Sequence, residues 1–220
     1  MKVDEVFLSN QGEGPDVGVS TVFARLSGCN IQCNWCDTKY AWKDGTEVSA
    51  YDVAKDVCRK DLHKSFRCYI TGGEPLAQEK ELYALAIMLV RLAYRVTVAT
   101  NGTIPPPRWQ NLVTWDIDCK CPSSGVNVPF ALEWCQTGDR NRIKFVVADE
   151  LDLDVVSEYL KQTCFRVYSC PELIVSPMMP LDVENPDKKW MQRVWNFCVE
   201  NNLRFSLQAQ KIVFGNKKGV

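Results

Sequence analysis

The chain has 220 residues, 46% hydrophobic and 24% charged, with a formal net charge of −1. This composition excludes disorder, collagen and coiled coil as the dominant state. The balanced charge argues against a basic face for nucleic acid, and the longest apolar run, around residues 83–90, is too short to span a bilayer. Acidic residues stand where a signal peptide would be apolar. We therefore expect a cytoplasmic protein that binds neither nucleic acid nor membrane.

The elements alternate between short β-rich runs and helical segments. Strands are predicted at residues 21–26, 68–71, 95–99, 114–119, 142–147, 173–176 and 204–207, and helices at 48–60, 78–94, 153–162 and 187–202. This alternation predicts an α/β fold with a largely parallel sheet. A complete eightfold barrel needs about 250 residues. We therefore expect one domain over residues 1–220, a partial, open (β/α) barrel of about six parallel strands with a reduced helix count.

Eleven cysteines are the unusual feature of the composition. Their odd number, without a secretion signal, speaks against a disulfide framework, and favours metal binding, redox chemistry or buried thiols. Cys29, Cys33 and Cys36 form a Cys-x3-Cys-x2-Cys motif directly after the first predicted strand. Soft thiolates suit zinc or an iron–sulfur cluster. A structural zinc site needs four ligands, and no nearby residue supplies the fourth, whereas a four-iron cluster on three thiolates leaves one iron open.

The cysteine motif resembles that of the radical S-adenosylmethionine (SAM) superfamily, and the Thr-Gly-Gly-Glu-Pro sequence at residues 71–75 is similar to the superfamily's second motif. The resemblance implies a [4Fe–4S] cluster on the three motif cysteines, with SAM bound to the fourth iron. It also implies that electron transfer cleaves SAM to a 5′-deoxyadenosyl radical, which abstracts hydrogen from the substrate. Glycines in the second motif would let backbone carbonyls approach the ammonium group of SAM closely.

Three further segments are similar to the 7-carboxy-7-deazaguanine synthases, a family within this superfamily. They are EVFLSNQGEG at residues 5–14, CDTKYAW at 36–42 and FGNKKGV at 214–220. The resemblance implies conversion of 6-carboxy-5,6,7,8-tetrahydropterin to 7-carboxy-7-deazaguanine with loss of ammonia. SAM would be used catalytically and Mg2+ would be required. The resemblance also suggests a homodimer and a reductant of the flavodoxin or ferredoxin type.

Two residues are candidates for binding this substrate, and a third is a candidate for binding Mg2+. The planar fork of Arg25 suits a carboxylate, although a structural ion pair is its alternative role. The Glu13 carboxylate suits the guanidine-like edge of a pterin, although residues 10–14 could instead form a Gly-rich surface turn. Thr38 resembles the magnesium ligand of the family, and Mg2+ favours hard oxygen ligands. The resemblance places substrate contacts at Asn10, Gln11, Gly12, Glu13, Arg25, Thr71 and Val220.

The resemblance places SAM contacts at Asp37, Gly73, Glu74, Thr100, Asp118, Cys119, Lys120 and Ser176. Asp118 and Cys119 depart from the family pattern, and Ser176 stands where the family usually has glutamine. The C-terminal tail, from about residue 208 to 220, has the composition of a solvated end. The resemblance implies instead that this tail closes over the active site.

Two alternative functions compete with this hypothesis. A glycyl-radical enzyme activase shares the three-cysteine motif and the chain length, but residues 11–14 and the Cys36-Asp37-Thr38 sequence favour the pterin enzyme. A non-enzymatic zinc-binding module is the second alternative. Of the eight remaining cysteines, Cys119, Cys121 and Cys135 raise the possibility of an auxiliary cluster, but their spacing matches no cluster signature. We expect buried or partly buried thiols there.

Overall fold

The computed structural model describes residues 1–43, 45–161, 170–180, 187–215 and 217–219. In chain order, the regular elements of these residues are β1 (Lys2–Asn10), β2 (Ser20–Leu26), β3 (Thr46–Glu47), α1 (Ala50–Lys60), β4 (Arg67–Gly72), α2 (Glu79–Arg91), β5 (Arg95–Thr100), β6 (Thr114–Cys119), β7 (Arg142–Val147), α3 (Glu150–Lys161), β8 (Glu172–Pro177), α4 (Lys188–Asn201), β9 (Arg204–Phe205) and α5 (Ala209–Phe214). None of these helices has both the length and the apolar character needed to cross a membrane.

All nine strands join one sheet in the order β3-β1-β2-β4-β5-β6-β7-β8-β9. Strand β2 and strands β4 to β9 pair in parallel, whereas β1 runs antiparallel to both β2 and β3. Within the described residues, the edge strands β3 and β9 do not pair with each other, so the sheet stays open. The expected α/β fold with a partial, open barrel is confirmed, with seven parallel strands in place of about six.

The sequence pattern predicts neither the N-terminal strand β1 nor the short helix α5. Most side chains of β1 are half-buried on both faces, so the strand lacks the contrast between a buried and an exposed face that reveals a strand in a sequence. Strand β1 is held to β2 by an antiparallel ladder that is unbroken from Glu5 to Asn10, with a shift of register between Val3 and Glu5. Phe7 of β1 also stacks on Phe23 of β2, with ring centroids 5.1 Å apart.

The outer face of the sheet packs against the helices and forms the hydrophobic core. Strand β6 shows how the sequence produces this face, because Trp115, Ile117 and Cys119 alternate with polar residues and are buried. Helix α1 begins at a side-chain cap, because the Ser49 hydroxyl accepts a hydrogen bond from the Asp52 backbone N–H.

The turn after β4 passes unusually close to the end of β2. The Gly73 N–H donates to the Leu26 carbonyl at 2.9 Å, and the Glu74 N–H donates to the Gly28 carbonyl at 2.7 Å. A Cβ atom on Gly73 would lie 2.0 Å from the Gly28 oxygen. Because the obstacle is backbone rather than a flexible side chain, only glycine fits at this position.

We expect Gly73→Ala to lower the free energy of unfolding by about 1–3 kcal/mol, because the backbone at Gly28 must move to admit the methyl group. Urea denaturation measures the loss. Gly18→Ala is the control, since its Cβ would meet nothing within 4 Å while its φ of +83° imposes backbone strain alone. A loss for Gly73→Ala well below that of Gly18→Ala would contradict the close contact.

Candidate active site

One cavity of about 270 Å³ lies over the concave face of the sheet. Side chains from β1, β2 and β4 to β8 line it, together with the cysteine loop, α5 and the residues after α5. The loops that follow β2, β4, β5 and β6 meet at the same end of the parallel sheet. This is the end at which parallel α/β folds carry their ligands.

The three motif cysteines all line this cavity, Cys33 buried and Cys29 and Cys36 half-buried. Burial raises the pKa of the Cys29 and Cys33 thiols, and the neighbouring Cys36 raises both further. Among the residues that the structure describes, no three His, Cys, Asp or Glu side chains converge to hold a single metal ion. Thiols spread around a common cavity fit an iron–sulfur cluster, in which each thiolate binds a different iron.

Glu74 of the second motif is fully buried behind the cavity. Its carboxylate accepts hydrogen bonds from the Leu76 N–H at 2.9 Å, the Thr100 hydroxyl at 2.9 Å and the Asn101 N–H at 2.7 Å. Burial raises the pKa of Glu74 despite these donors. The side chain thus ties the ends of β4 and β5 together.

Asp118 lies between two lysines at the end of β6. Its carboxylate accepts from Lys120 Nζ at 3.0 Å and pairs with Lys144 Nζ at 3.2 Å. Burial alone would raise the pKa of Asp118, but the two ammonium groups lower it below its ordinary value. Lys120 Nζ also lies 5.7 Å from the centre of the Trp35 ring, beside the cysteine loop. Lys120 therefore links β6 to the cysteine loop, because its ammonium group contacts both Asp118 and the Trp35 ring.

Glu13 receives three hydrogen bonds from distant parts of the chain. Oε2 accepts from Lys144 Nζ at 2.6 Å, and Oε1 accepts from the Nε2 atoms of Gln208 at 3.0 Å and Gln210 at 3.1 Å. Since a carboxylate offers about four lone-pair positions, one on Oε2 stays available. The Oε1 atom of Gln210 is buried and accepts from no group among the described residues.

Arg25 makes an ion pair and lines the cavity as well. Its Nε donates to Glu5 Oε1 at 2.8 Å, and its Nη1 lies 3.4 Å from the Thr38 hydroxyl. The Thr38 hydroxyl in turn donates to Asp37 Oδ1 at 2.8 Å. Burial would raise the pKa of Asp37, but Lys211, the Thr38 hydroxyl and other nearby cations lower it, so the carboxylate stays ionised. Asp37 and Thr38 together offer hard oxygen donors of the kind that Mg2+ prefers.

The structure brings most of the predicted site residues to this one cavity. Those that line it are Asn10, Gln11, Gly12, Glu13, Arg25, Cys29, Cys33, Cys36, Asp37, Thr38, Thr71, Gly73, Thr100, Asp118 and Lys120. Three do not line it, namely Glu74, Cys119 and Ser176. Cys119 packs in the core, whereas the buried Ser176 hydroxyl has no hydrogen-bond partner in the described part of the chain. Val220 lies outside the described residues.

Several lining residues were not predicted, among them Phe7, Tyr69, Asp116, Arg142 and Lys144. Gln208, Gln210 and Lys211 also line the cavity, and they lie in the tail that was expected to close over the site, although none of the three was predicted individually. Arg142 pairs with Asp116 and with Asp16 at 3.1 Å each, and the Tyr69 hydroxyl donates to Asp116 at 3.0 Å. The signal for Arg142 and Lys144 lay in the alternation of charged and apolar residues along β7. Lys211 is buried in α5, donates to the Met179 carbonyl at 3.1 Å and lies 3.5 Å from Asp37.

Comparison with known proteins reveals relatives along almost the whole chain. The model of the radical SAM superfamily matches residues 25–114. The 7-carboxy-7-deazaguanine synthase of Methanospirillum hungatei JF-1 is 33% identical over 97% of this chain and 85% of its own length. The 7-carboxy-7-deazaguanine synthase of Thermoplasma acidophilum is 31% identical over the full length of both chains.

Two solved structures share the fold. QueE from Escherichia coli superposes with a TM-score of 0.77 at 23% identity, covering 94% of this chain and 93% of that one. Streptococcus suis SuiB bound to the precursor peptide SuiA gives a TM-score of 0.56 at 14% identity, covering 80% of this chain and 46% of that one. The radical SAM type of open barrel is thereby confirmed. Because the sequence identity extends over nearly all of this chain and of its relatives, the chain belongs to the 7-carboxy-7-deazaguanine synthase family, and is a radical SAM lyase that uses a [4Fe–4S] cluster and SAM in deazapurine synthesis.

Proposed function

We propose that the chain converts 6-carboxy-5,6,7,8-tetrahydropterin to 7-carboxy-7-deazaguanine with loss of ammonia, that it uses SAM catalytically and that it requires Mg2+. One observation carries the proposal. A single cavity is lined by the three motif cysteines, by an arginine suited to a carboxylate and by the Glu13 carboxylate, which suits the N–H edge of a pterin. Family membership favours this activity over a glycyl-radical activase and over a zinc-binding module.

Cys29, Cys33 and Cys36 would hold the cluster. When bound, the cluster and SAM supply the one-electron chemistry that removes a hydrogen atom from the substrate. The backbone at Gly73 and the Asp118–Lys120 pair line the cavity beside the cysteine loop, and we assign them to SAM. The remaining lining residues bind and orient the substrate.

Arg25 would bind the substrate carboxylate through its outer nitrogen. The ion pair of Nε with Glu5 fixes the plane of the guanidinium group. No residue in the described ranges accepts a hydrogen bond from Nη2, which is therefore available for a ligand. The ring centroids of Phe7 and Tyr40 lie 5.5 and 5.8 Å from the guanidinium carbon. The ion pair proposed as the alternative role of Arg25 thus serves to orient it.

The amino-pyrimidinone edge of a pterin presents neighbouring N–H donors. Glu13 offers one open lone pair on Oε2, because its other positions accept from Lys144 and the two glutamines. The Oε1 atom of Gln210 is buried and packs against Gly12, where an added Cβ would lie 2.0 Å from it. We therefore assign the pterin edge to the open lone pair of Glu13. The hydrogen bond from Gln210 Nε2 to Glu13 fixes which end of the amide points away from Glu13.

Thr38 and Asp37 would hold Mg2+ together with the substrate carboxylate. Magnesium usually keeps several waters and takes one or two protein oxygens. The Thr38 hydroxyl retains a lone pair, and Asp37 is kept ionised by its cationic neighbours. The cation would therefore neutralise the negative charge where the substrate carboxylate approaches the Asp37 carboxylate.

The C-terminal tail supports the proposed closure over the site. Gln208, Gln210, Lys211, Gly215, Lys217, Lys218 and Gly219 all line the cavity. Lys218 Nζ lies 2.8 Å from Asp4 Oδ2 and 4.3 Å from the centre of the Tyr40 ring, which anchors the tail to β1 and the cysteine loop.

We further propose that the chain forms a single domain and a homodimer, that a flavodoxin or ferredoxin supplies the electron, and that the protein is cytoplasmic.

The proposed reaction is tested by mass spectrometry of an anaerobic mixture of reconstituted, reduced protein, SAM, Mg2+ and 6-carboxytetrahydropterin. We expect a product lighter by one ammonia, without stoichiometric loss of SAM. Cys33→Ala should abolish both the cluster absorbance and the product, whereas Cys58→Ala, at an exposed position, should retain both. Accumulation of 5′-deoxyadenosine without any deazapurine would refute the pterin substrate.

Thr38→Ala should weaken the binding of Mg2+ while leaving the iron content unchanged, because one oxygen ligand of the cation is lost. The activity is titrated against Mg2+, and at least tenfold more cation should be needed for half-maximal rate. Thr38→Ser keeps the hydroxyl and should behave as the wild type. An unchanged Mg2+ response in Thr38→Ala would remove this residue from the magnesium site.

Gln210→Met should raise the KM for the pterin about three- to tenfold, because it removes one of the two amide donors that orient Glu13 Oε1 and a hydrogen bond contributes about 0.5–1.5 kcal/mol. Steady-state kinetics measures the change. Gln136→Met is the matched control, since Gln136 is exposed and does not line the cavity, and its KM should equal that of the wild type. An unchanged KM in Gln210→Met would show that Gln210 does not orient Glu13.

A further inference from the structure

We propose that Lys144 is a positioning residue, whose ammonium group holds the Glu13 carboxylate in place for the N–H edge of the substrate. The inference rests on the proposed function, because it takes Glu13 as a substrate contact. Lys144 also links that contact to the SAM side of the cavity through Asp118. Lys144 itself acts through Glu13.

Lys144 Nζ lies 2.6 Å from Glu13 Oε2 and 3.2 Å from Asp118 Oδ1. The side chains of Lys144 and Glu13 are 18% and 22% exposed, so the pair is largely shielded from water. Hydrogen bonds between ionised groups are shorter and stronger than neutral ones. The contact therefore fixes the orientation of the Glu13 carboxylate.

Among the described residues, Lys144 is the single counter-charge of Glu13 but only one of two counter-charges of Asp118. Within the described residues, Lys144 is the one cation within 4.0 Å of Glu13, whose other oxygen accepts from two neutral amides. Asp118 has a second cation, Lys120, at 3.0 Å. Loss of the Lys144 charge thus leaves Asp118 paired and Glu13 without a counter-charge. A poorly solvated carboxylate without a counter-charge turns toward water or takes up a proton.

The backbone positions of the two partners differ in rigidity. Lys144 is in the middle of β7, between the buried Ile143 and Phe145. Glu13 lies in the loop after β1, so its side chain needs an external anchor. The loop backbone has anchors of its own, because the Gly12 carbonyl accepts from the Ala209 N–H and the Gly14 N–H donates to the Ser206 hydroxyl, each at 2.9 Å. Removal of the lysine charge should therefore free the Glu13 side chain without unfolding the loop.

The test measures steady-state kinetics of the reconstituted holoenzyme for Lys144→Met, Lys144→Arg, Glu13→Gln and the double variant of Lys144→Met with Glu13→Gln. We expect Lys144→Met to raise the KM for the pterin at least tenfold with a smaller change in kcat. Lys144→Arg keeps the charge and should recover most of the affinity. If Lys144 acts through Glu13, the double variant should be no worse than Glu13→Gln.

Lys120→Met is the control on the other side of Asp118. It removes one cation from Asp118 but none from Glu13, so it should raise the KM for SAM rather than for the pterin.

If Lys144→Met does not fold, Lys144→Gln replaces it in the same cycle. A wild-type enzyme that forms no deazapurine refutes the proposed function and this role together. An active wild type with an unchanged pterin KM in the lysine variant, or with effects that add to those of Glu13→Gln, refutes the role of Lys144 alone.

Discussion

The pairing of opposite charges between β6 and β7 is the interaction on which the cavity depends. The parallel register places Asp116 beside Arg142 and Asp118 beside Lys144, and each pair forms an ion pair. An isolated charge on a shielded face of a sheet costs several kcal/mol, whereas a paired one is tolerated. The register thus allows a parallel sheet, which is normally apolar on both faces, to present charged groups to a polar ligand.

Backbone contacts hold the cysteine loop against this charged face. The Gly28 N–H donates to the Ala41 carbonyl at 2.8 Å, and the Cys29 N–H donates to the Trp42 carbonyl at 3.2 Å. The two ends of the loop are thereby closed on each other. Glu74 joins this loop to β4 and β5. It follows β4, its backbone N–H binds the start of the loop, and its carboxylate binds the end of β5. Backbone hydrogen bonds and one buried carboxylate thus position the cysteine loop.

The accuracy of the sequence analysis follows the strength of local patterns. Strands β6 and β7 were predicted with the bounds that the structure gives, because apolar residues alternate on one face of β6 and dominate β7. No local pattern joins Lys144 of β7 to its partner Glu13, which lies 131 positions away. The two glutamines that bind Glu13 are 195 and 197 positions from it. A helix of six residues such as α5 carries too little periodicity to be recognised in a sequence. The contacts of Glu13 with Lys144 and the two glutamines could therefore be found only from the structure.

The burial of five cysteines outside the motif has a consequence for how the protein acquires iron. Cys68, Cys119, Cys121, Cys135 and Cys198 are all buried. Burial raises the pKa of Cys119 and Cys198 to about 11, and raises those of Cys68 and Cys121 well above the ordinary value. Burial also raises the pKa of Cys29 and Cys33, so thiol acidity does not distinguish the motif cysteines. The motif thiols line a cavity, whereas the five buried sulfurs are enclosed in the hydrophobic core. Access from the cavity, rather than thiol acidity, thus directs cluster assembly to the cysteine loop.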